Sequence, residues 1–396
     1  MKHLILIFVC LIITSCSSSD DSNTNPTDDG PISTDIALTL KWEDEIPTFL
    51  PQAMVYDEFD RPFLFLVAKG GGLLILNDNG DQEPTQAAQV PITDLYMLHA
   101  MNIVQKGNYL YIALGDFFDG ANGSKAGLAI INVENPTNPV VEGLWESDTT
   151  IGGSAIVAVQ GNYAYLGAME FGIFILDIEN PQQITEKSNY TPDLNYPVEN
   201  PDGLQIPNAR GMTVVGNTMY LCYDAGGIRI IDISDKEFPM EIGSFHNFAA
   251  IENTPKAYNN IIVSGNLAYC AVDYCGFEIW DITTLGQEEL IGWWNPWDCN
   301  TLGNLWFNSP GHANQMTFDA TNELIFVNTG RSDLSILDVS NPENPTLKQS
   351  YGVFDDTQAT WGMGMHNNDI YLLYITAGVP LYSNWSGLKK VSWAFE

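Results

Sequence analysis

The stretch GIRIIDI at residues 227–233 decides the fold, because variants of it recur along the whole chain. The other six copies are GLLILND at 72–78, GLAIINV at 127–133, GIFILDI at 172–178, GFEIWDI at 276–282, DLSILDV at 333–339 and GLKKVSW at 387–393. Their first residues lie 45 to 57 positions apart. Apolar strands that recur with a period of this size indicate small sheets repeated around an axis, as in a β-propeller.

Two further candidate strands precede each copy of the repeat, and another follows it in six of the seven units, for example at 140–145, 240–245 and 289–294. The strand just upstream of each copy follows a Gly-Asn pair in four units, at 107–108, 161–162, 216–217 and 265–266. Both residues tolerate the positive φ that a tight hairpin turn demands. The strand before that one is rich in Ala, Gly, Asn and Met, and small side chains suit a crowded central axis. We therefore predict an all-β, seven-bladed propeller with four-stranded blades.

The seventh unit ends at Glu396 without a fourth strand, while the segment IALTLKW at 36–42 has no unit of its own. We predict that this N-terminal segment supplies the missing strand of the last blade. Closure of this kind leaves no open edge between the first and last blades. The alternative is a loose N-terminal strand.

The strings GIRIIDIS at 227–234 and GIFILDIENP at 172–181 resemble the LVIVD-repeat family of bacterial and archaeal cell-surface proteins. The resemblance spans residues 50–396 as a class of repeat. Asn77, Asp333 and Ser392 depart from the pattern in the first, sixth and seventh copies. The resemblance implies a propeller at the cell surface, and it implies no particular reaction.

The N-terminus carries the features of a lipoprotein signal peptide over residues 1–15. A short basic start precedes an apolar run at 4–13 that is too short to span a bilayer. The residues Ile13-Thr14-Ser15-Cys16 match a lipobox, in which Cys16 resembles the acceptor of a thioether-linked lipid. The alternative is an ordinary signal peptide with an incidental cysteine.

A flexible, lipidated tether is predicted for residues 16–33, before a propeller domain at 34–396. Residues 17–30 contain no aromatic or branched aliphatic side chain, so they cannot bury enough apolar surface to order themselves. Asp20 and Asp21 resemble the surface-export signal of Bacteroidota lipoproteins. We expect lipid anchoring in the outer membrane, facing the cell exterior, with a periplasmic location as the alternative.

Charge restricts the class of partner. The chain has 15 Lys and Arg against 49 Asp and Glu, a net charge of −34. Such a surface excludes nucleic acid, whose phosphates require a basic face. The expected partners are the outer membrane, through the lipid anchor, and another cell-envelope protein or a glycan.

Four cysteines remain after Cys10 and Cys16 are assigned to the signal and the lipid. We predict a disulfide between Cys275 and Cys299, because both lie in loops of one face that adjoin the fifth blade. Cys222 and Cys270 lie in strands, as buried small hydrophobic residues do.

The long connections of the propeller fall on one face and are rich in aromatic residues, which favour interfaces and stacking on sugars. The alternative is that these rings pack the loops against the blades. Three cationic or titratable residues, His99, Arg210 and His312, lie where inner strands begin. There they would surround the channel mouth and hold an anion or carboxylate. The predicted binding residues are His99, Phe117, Phe118, Arg210, Trp297, Trp306, His312, Trp361, Tyr382 and Trp385.

Acidic residues end the second strands of four blades and are candidates for gathering a cation such as Ca²⁺: Asp116, Glu170, Asp224 and Asp273. Aspartates in turns more often cap backbone amides, and no EF-hand loop is present in the sequence. We expect no other cofactor.

No GxSxG, HExxH or P-loop motif occurs in the chain. The sequence therefore favours a non-catalytic binding or scaffold propeller in an outer-membrane assembly. The alternatives are a glycan-binding lipoprotein and a glycan-active enzyme whose site is built across several blades, which a motif search would miss.

Overall fold

A computed structural model of the protein describes residues 35–117, 123–194, 207–247, 257–299, 311–354, 356–378 and 381–396. These residues form seven antiparallel sheets of four strands, with helix limited to short 3₁₀ turns. The predicted all-β, seven-bladed propeller is therefore confirmed.

The strands follow the chain blade by blade. Blade one contains β2 (Ala53–Tyr56), β3 (Phe63–Val67), β4 (Leu73–Asn79) and β5 (Gln82–Val90). Blade two contains β6 (Ala100–Lys106), β7 (Tyr109–Leu114), β8 (Gly127–Asn132) and β9 (Val140–Glu146). Blade three contains β10 (Ile156–Gln160), β11 (Tyr163–Gly167), β12 (Ile173–Asp177) and β13 (Thr185–Tyr190). Blade four contains β14 (Ala209–Val215), β15 (Thr218–Tyr223), β16 (Ile228–Asp232) and β17 (Met240–Phe245).

The remaining blades repeat this order. Blade five contains β18 (Tyr258–Ser264), β19 (Leu267–Val272), β20 (Gly276–Asp281) and β21 (Glu289–Trp294). Blade six contains β22 (Met316–Asp319), β23 (Leu324–Asn328), β24 (Leu334–Asp338) and β25 (Thr346–Tyr351). Blade seven contains β26 (Thr360–His366), β27 (Asp369–Tyr374) and β28 (Gly387–Phe395), with β1 (Ile36–Glu45) as its fourth strand.

The closing strand forms as predicted. β1 runs antiparallel to β28, with Ile36 opposite Phe395 and Glu45 opposite Gly387. Ile36 and Trp42 are buried, and the indole nitrogen of Trp42 donates to the Gly80 carbonyl of blade one at 3.2 Å. The N-terminal strand therefore joins the last blade to the first.

The first strand of each blade lies nearest the axis, because the first strands of neighbouring blades contact one another all the way round. The backbones approach closely there. A Cβ on Gly211 would lie 2.4 Å from the carbonyl oxygen of Asn259 in the next blade, so a side chain cannot be accommodated. The Gly-Asn turns have the expected geometry, with φ between 57° and 59° at Gly107, Gly161, Gly216 and Gly265.

The hydrophobic core is divided among the interfaces between neighbouring blades. Each of the seven interfaces has its own cluster, such as the one that Phe326 and Ile336 of blade six form with Leu372 and Trp393 of blade seven. Burying a large apolar side chain contributes roughly 1.5–3 kcal/mol, so each blade is held mainly by its two neighbours. Within the described part of the chain, no helix has the length and apolarity to cross a bilayer.

Candidate site at the mouth of the central channel

The two faces of the propeller differ in their connections. Since each blade is an antiparallel meander, the connections between blades share a face with the hairpins that join second and third strands. This face, called the long-loop face below, carries the connections that follow β5, β9, β13, β17, β21 and β25. All inner strands begin there, so their first residues surround the mouth of the channel.

A cavity opens at this mouth, with about 390 Å³ of empty space that includes its open end. Six of the seven blades contribute to its walls, because the inner strands of blades two to seven begin around it. The lining residues are Met101, Asn102, Phe117, Ala155, Ile156, Arg210, Asn259, Asn260, Asn314, Gln315 and Trp361. The walls are thus dominated by amides, with one guanidinium and two aromatic rings.

Arg210 is the cationic residue of this cavity. Its guanidinium carbon lies 5.0 Å from the ring centroid of Phe117 and 6.0 Å from that of Trp361, within the range of cation–π attraction. The nearest carboxylate is that of Asp224, with Nε to Oδ1 at 3.9 Å. Among the described residues, Arg210 has no hydrogen-bond acceptor at normal distance, so its fork of N–H donors remains available to a ligand.

Asp224 supports Arg210 from behind. The backbone and side-chain amides of Asn208 donate to its Oδ2 at 3.0 and 2.7 Å. Burial raises the pKa of Asp224 to about 6, against the opposing effects of Arg210 and Asn208. The carboxylate is therefore costly to ionise and helps to hold the guanidinium in place.

His312 pairs with a second acidic residue, Asp273, and packs against Trp361. Its Nε2 lies 2.7 Å from Oδ1 of Asp273, and both side chains are almost fully buried. Burial alone would raise the pKa of Asp273, but His312 and Asn259 hold its pKa below the usual value. The imidazole also stacks on Trp361 at 5.9 Å between centroids.

His99 forms a third pair at the rim. Its Nδ1 lies 3.0 Å from Oδ2 of Asp116, and Nζ of Lys69 lies 2.9 Å from the same oxygen. The predicted trio at the mouth is thus divided: Arg210 lines the cavity, whereas His99 and His312 pair with carboxylates beside it.

The candidate cation ligands are distributed over different pairs. Asp116, Asp224 and Asp273 each have the partners described above, and Glu170 is exposed. In the described ranges, no three His, Cys, Asp or Glu residues are grouped closely enough to hold a metal ion. The structure therefore places the three aspartates as partners of neighbouring side chains.

Most of the predicted rings that are described contribute to packing. Trp361 is buried with Ile375 and Leu381 beside Phe117. Trp297 packs against Trp294, with ring centroids 6.1 Å apart, and covers Gly311. Trp385 packs edge-on against Tyr374, with ring centroids 5.1 Å apart. Tyr382 is 47% exposed. Cys16, Phe118 and Trp306 lie outside the described residues.

The structure joins Cys275 to Cys299 by a disulfide, with Cα atoms 5.2 Å apart. The bond ties the 3₁₀ turn at Asp273–Cys275 to the connection between blades five and six. Cys222 and Cys270 are buried and unbonded, as small core residues.

The amides of the cavity were missed by the sequence reasoning. Asn102 and Asn259 lie near the starts of β6 and β18, Asn314 lies two residues before β22, and each bonds to a neighbouring blade or to its connection. Asn314 donates to the Trp361 carbonyl at 2.6 Å, and Asn102 accepts from the Val157 amide at 3.3 Å. The Asn residues that recur near the starts of inner strands were a signal in the sequence that pointed to the channel mouth.

Five segments of the chain match the model of the LVIVD repeat, at residues 99–145, 151–192, 208–247, 257–287 and 324–353. They fall in blades two to six, where the repeat is best preserved. None of the curated proteins compared with the chain matches its sequence.

Solved structures share the fold at very low sequence identity. The chain is similar to the structure of U3-55K, with TM-score 0.63, 9% identity, 92% of this chain covered and 100% of the other. It is similar to a chain of the mitotic checkpoint complex, with TM-score 0.60, 9% identity and coverages of 96% and 98%. For the WD40 β-propeller domain of Doa1 the TM-score is 0.57, the identity 10% and the coverages 91% and 97%. At such identity the likeness shows the fold alone, and together with the repeat matches it leads to one conclusion: the chain is a seven-bladed β-propeller in which five segments match the LVIVD repeat.

Proposed function

We propose that the protein is a non-catalytic binding scaffold, whose long-loop face engages another cell-envelope protein. A rigid propeller with variable loops on one face suits protein binding. We further propose that the chain is anchored to the outer membrane through Cys16, with the propeller exposed at the cell surface. The lipobox-like sequence and the acidic, polar segment after it support the anchor.

The observation that carries the partner proposal is the set of exposed apolar side chains on the long-loop face. Large exposed apolar patches on soluble domains mark interaction sites. Five large apolar side chains in three connections of this face are 37–65% exposed. They are Tyr96 and Met97 after blade one, Val353 and Phe354 after blade six, and Tyr382 after β27. The connection after blade six and the hairpin after β27 are bonded to each other, since the Asn384 amide donates to the Thr357 carbonyl at 3.0 Å.

Backbone geometry adds to this observation. Tyr96, Met97 and Tyr382 have positive φ values of 56°, 62° and 53°. Non-glycine residues in this conformation carry strain that persists only where the surrounding structure enforces it. The loops therefore present apolar side chains to solvent in a fixed arrangement, which suits a preorganised docking surface.

The experiment is purification of the tagged full chain from gently solubilised membranes. We expect a stoichiometric envelope protein to copurify. A variant with Met97→Asn, Val353→Asn and Tyr382→Asn removes the exposed apolar groups, and Asn tolerates positive φ. We expect it to retain less than a tenth of the partner.

The matched control is Phe238→Asn with Met240→Asn. These side chains are 77% and 59% exposed and lie at the hairpin between β16 and β17, on the opposite face. Equal loss of the partner from the control variant, or no partner with the wild-type chain, would contradict the proposal. Protease treatment of intact cells tests the location separately, since a protected propeller would place the protein on the periplasmic side.

A further inference from the structure

The cavity at the channel mouth contains a buried acceptor whose orientation is determined by its neighbours. The side-chain nitrogen of Asn259 donates to Oδ1 of Asp273 at 3.0 Å and to the Ala313 carbonyl at 2.9 Å. Because both partners are acceptors, this end of the amide must be the NH₂ group. The oxygen therefore points the other way.

That oxygen, Oδ1 of Asn259, is buried and has no hydrogen-bond partner among the described residues. Asn259 lines the cavity and is only 4% exposed. A buried polar atom without a partner costs about 1–3 kcal/mol, so it is a position where a donor from a ligand would be stabilised.

Arg210 lies in the same wall and offers the complementary group. Its planar fork of donors matches a carboxylate, and the rings of Phe117 and Trp361 hold it in place. The cavity thus presents a carboxylate binder at one point and an acceptor for an N–H or O–H donor at another.

The nearby charges decide between the possible donors. Asp224 lies 3.9 Å from Arg210, and Asp273 contacts both Asn259 and His312, so two acidic side chains accompany one guanidinium and one imidazole. The guanidinium favours a carboxylate at Arg210, and the Asp273 carboxylate beside Asn259 favours a positively charged donor there over a neutral one.

We propose that the channel mouth binds a small α-amino acid, with its carboxylate on Arg210 and its ammonium on Oδ1 of Asn259. The enclosed part of the cavity has room for only about one or two water-sized groups, so the ligand would be among the smallest amino acids, glycine or alanine, and would extend into the open end. This inference goes beyond contact with a protein partner and does not depend on it.

The test is titration calorimetry of the purified full chain with glycine and L-alanine, and with acetate and methylammonium as half-ligands. We expect saturable binding of both amino acids and at least tenfold weaker binding of each half-ligand. The proposal would be overturned if acetate bound as tightly as glycine. It would also be overturned if neither amino acid bound at ligand concentrations up to about 10 mM.

The variants Arg210→Gln and Asn259→Ala are expected to weaken glycine binding at least tenfold. Arg210→Lys retains the charge without the fork and keeps the test valid if Arg210→Gln does not fold; we expect it to bind at least threefold more weakly than the wild type. The control is Lys106→Gln, which removes one charge from an exposed side chain. Glycine binding that survives every Arg210 variant, or that falls equally in the control, would refute the site without affecting the partner experiment.

Discussion

The hydroxyl of Tyr374 in blade seven donates a 2.8 Å hydrogen bond to Oδ2 of Asp333 in blade six. Asp333 occupies the position that Gly holds in the other copies of the repeat, and it takes φ 51° there. It is 1% exposed, and burial raises its pKa to about 7, against the lowering effect of Tyr374. An acid in the place of a glycine thus links two blades and titrates near neutrality.

Stability should therefore depend on pH through Asp333. The unfolded side chain has a pKa near 3.8, so between about pH 4 and pH 7 the folded chain binds the proton more tightly. Stability from this group is present at low pH and is lost as pH rises through 7. The variant Asp333→Asn should be more stable than the wild type at pH 8, with the difference vanishing below about pH 4.

Urea unfolding at several pH values measures this difference. Asn tolerates positive φ and can still accept from Tyr374, so the substitution changes mainly the charge. The control Glu289→Gln alters an exposed carboxylate. A wild-type advantage at pH 8 would show that the ionised Asp333 is stabilising, contrary to the prediction.

Closure by β1 should be essential to stability. Trp42→Ala removes a buried ring that bonds across to blade one, and we expect a loss of about 3–5 kcal/mol in the free energy of unfolding. Leu40→Ala changes a 44%-exposed residue of the same strand and should cost under about 1 kcal/mol. Equal effects of the two substitutions would indicate that the strand is loosely attached. Removal of residues 1–42 should lower the melting temperature sharply.

The disulfide should stabilise blade five. It closes a loop with a sequence separation of 24, for which roughly 3 kcal/mol is expected from chain entropy. The variant Cys275→Ala with Cys299→Ala should melt at a lower temperature than the oxidised wild type. Reductant should destabilise the wild type and leave the double variant unchanged. If reductant destabilised the variant equally, the effect would have another origin.

A buried ion pair in blade four should be costly to break. Nη1 of Arg229 lies 2.8 Å from Oε1 of Glu241, and the two side chains are 6% and 4% exposed. Arg229→Met leaves the Glu241 carboxylate without its cation and should cost about 3–5 kcal/mol. Adding Glu241→Leu should recover most of that loss, because both charges are then absent. A double variant as unstable as the single one in urea unfolding would contradict this account.

The sequence by itself determined the blades. Each blade is a local meander of hairpins, so period, alternation and Gly-Asn turns specify it without reference to the rest of the chain. The missing fourth strand of blade seven likewise identified β1 as the closing strand. The pairing of Cys275 with Cys299 was predictable because both cysteines lie near one blade in sequence.

The tertiary structure alone decided the composition of the channel mouth. Phe117, Arg210 and Trp361 are far apart in sequence and meet only because the ring closes. The roles of single polar atoms were likewise decided by the tertiary structure. Whether Asn259 keeps an unused acceptor, or His312 faces Asp273 and not the cavity, depends on distances of a few ångströms between blades. A repeat pattern specifies each sheet separately and contains no information at that scale.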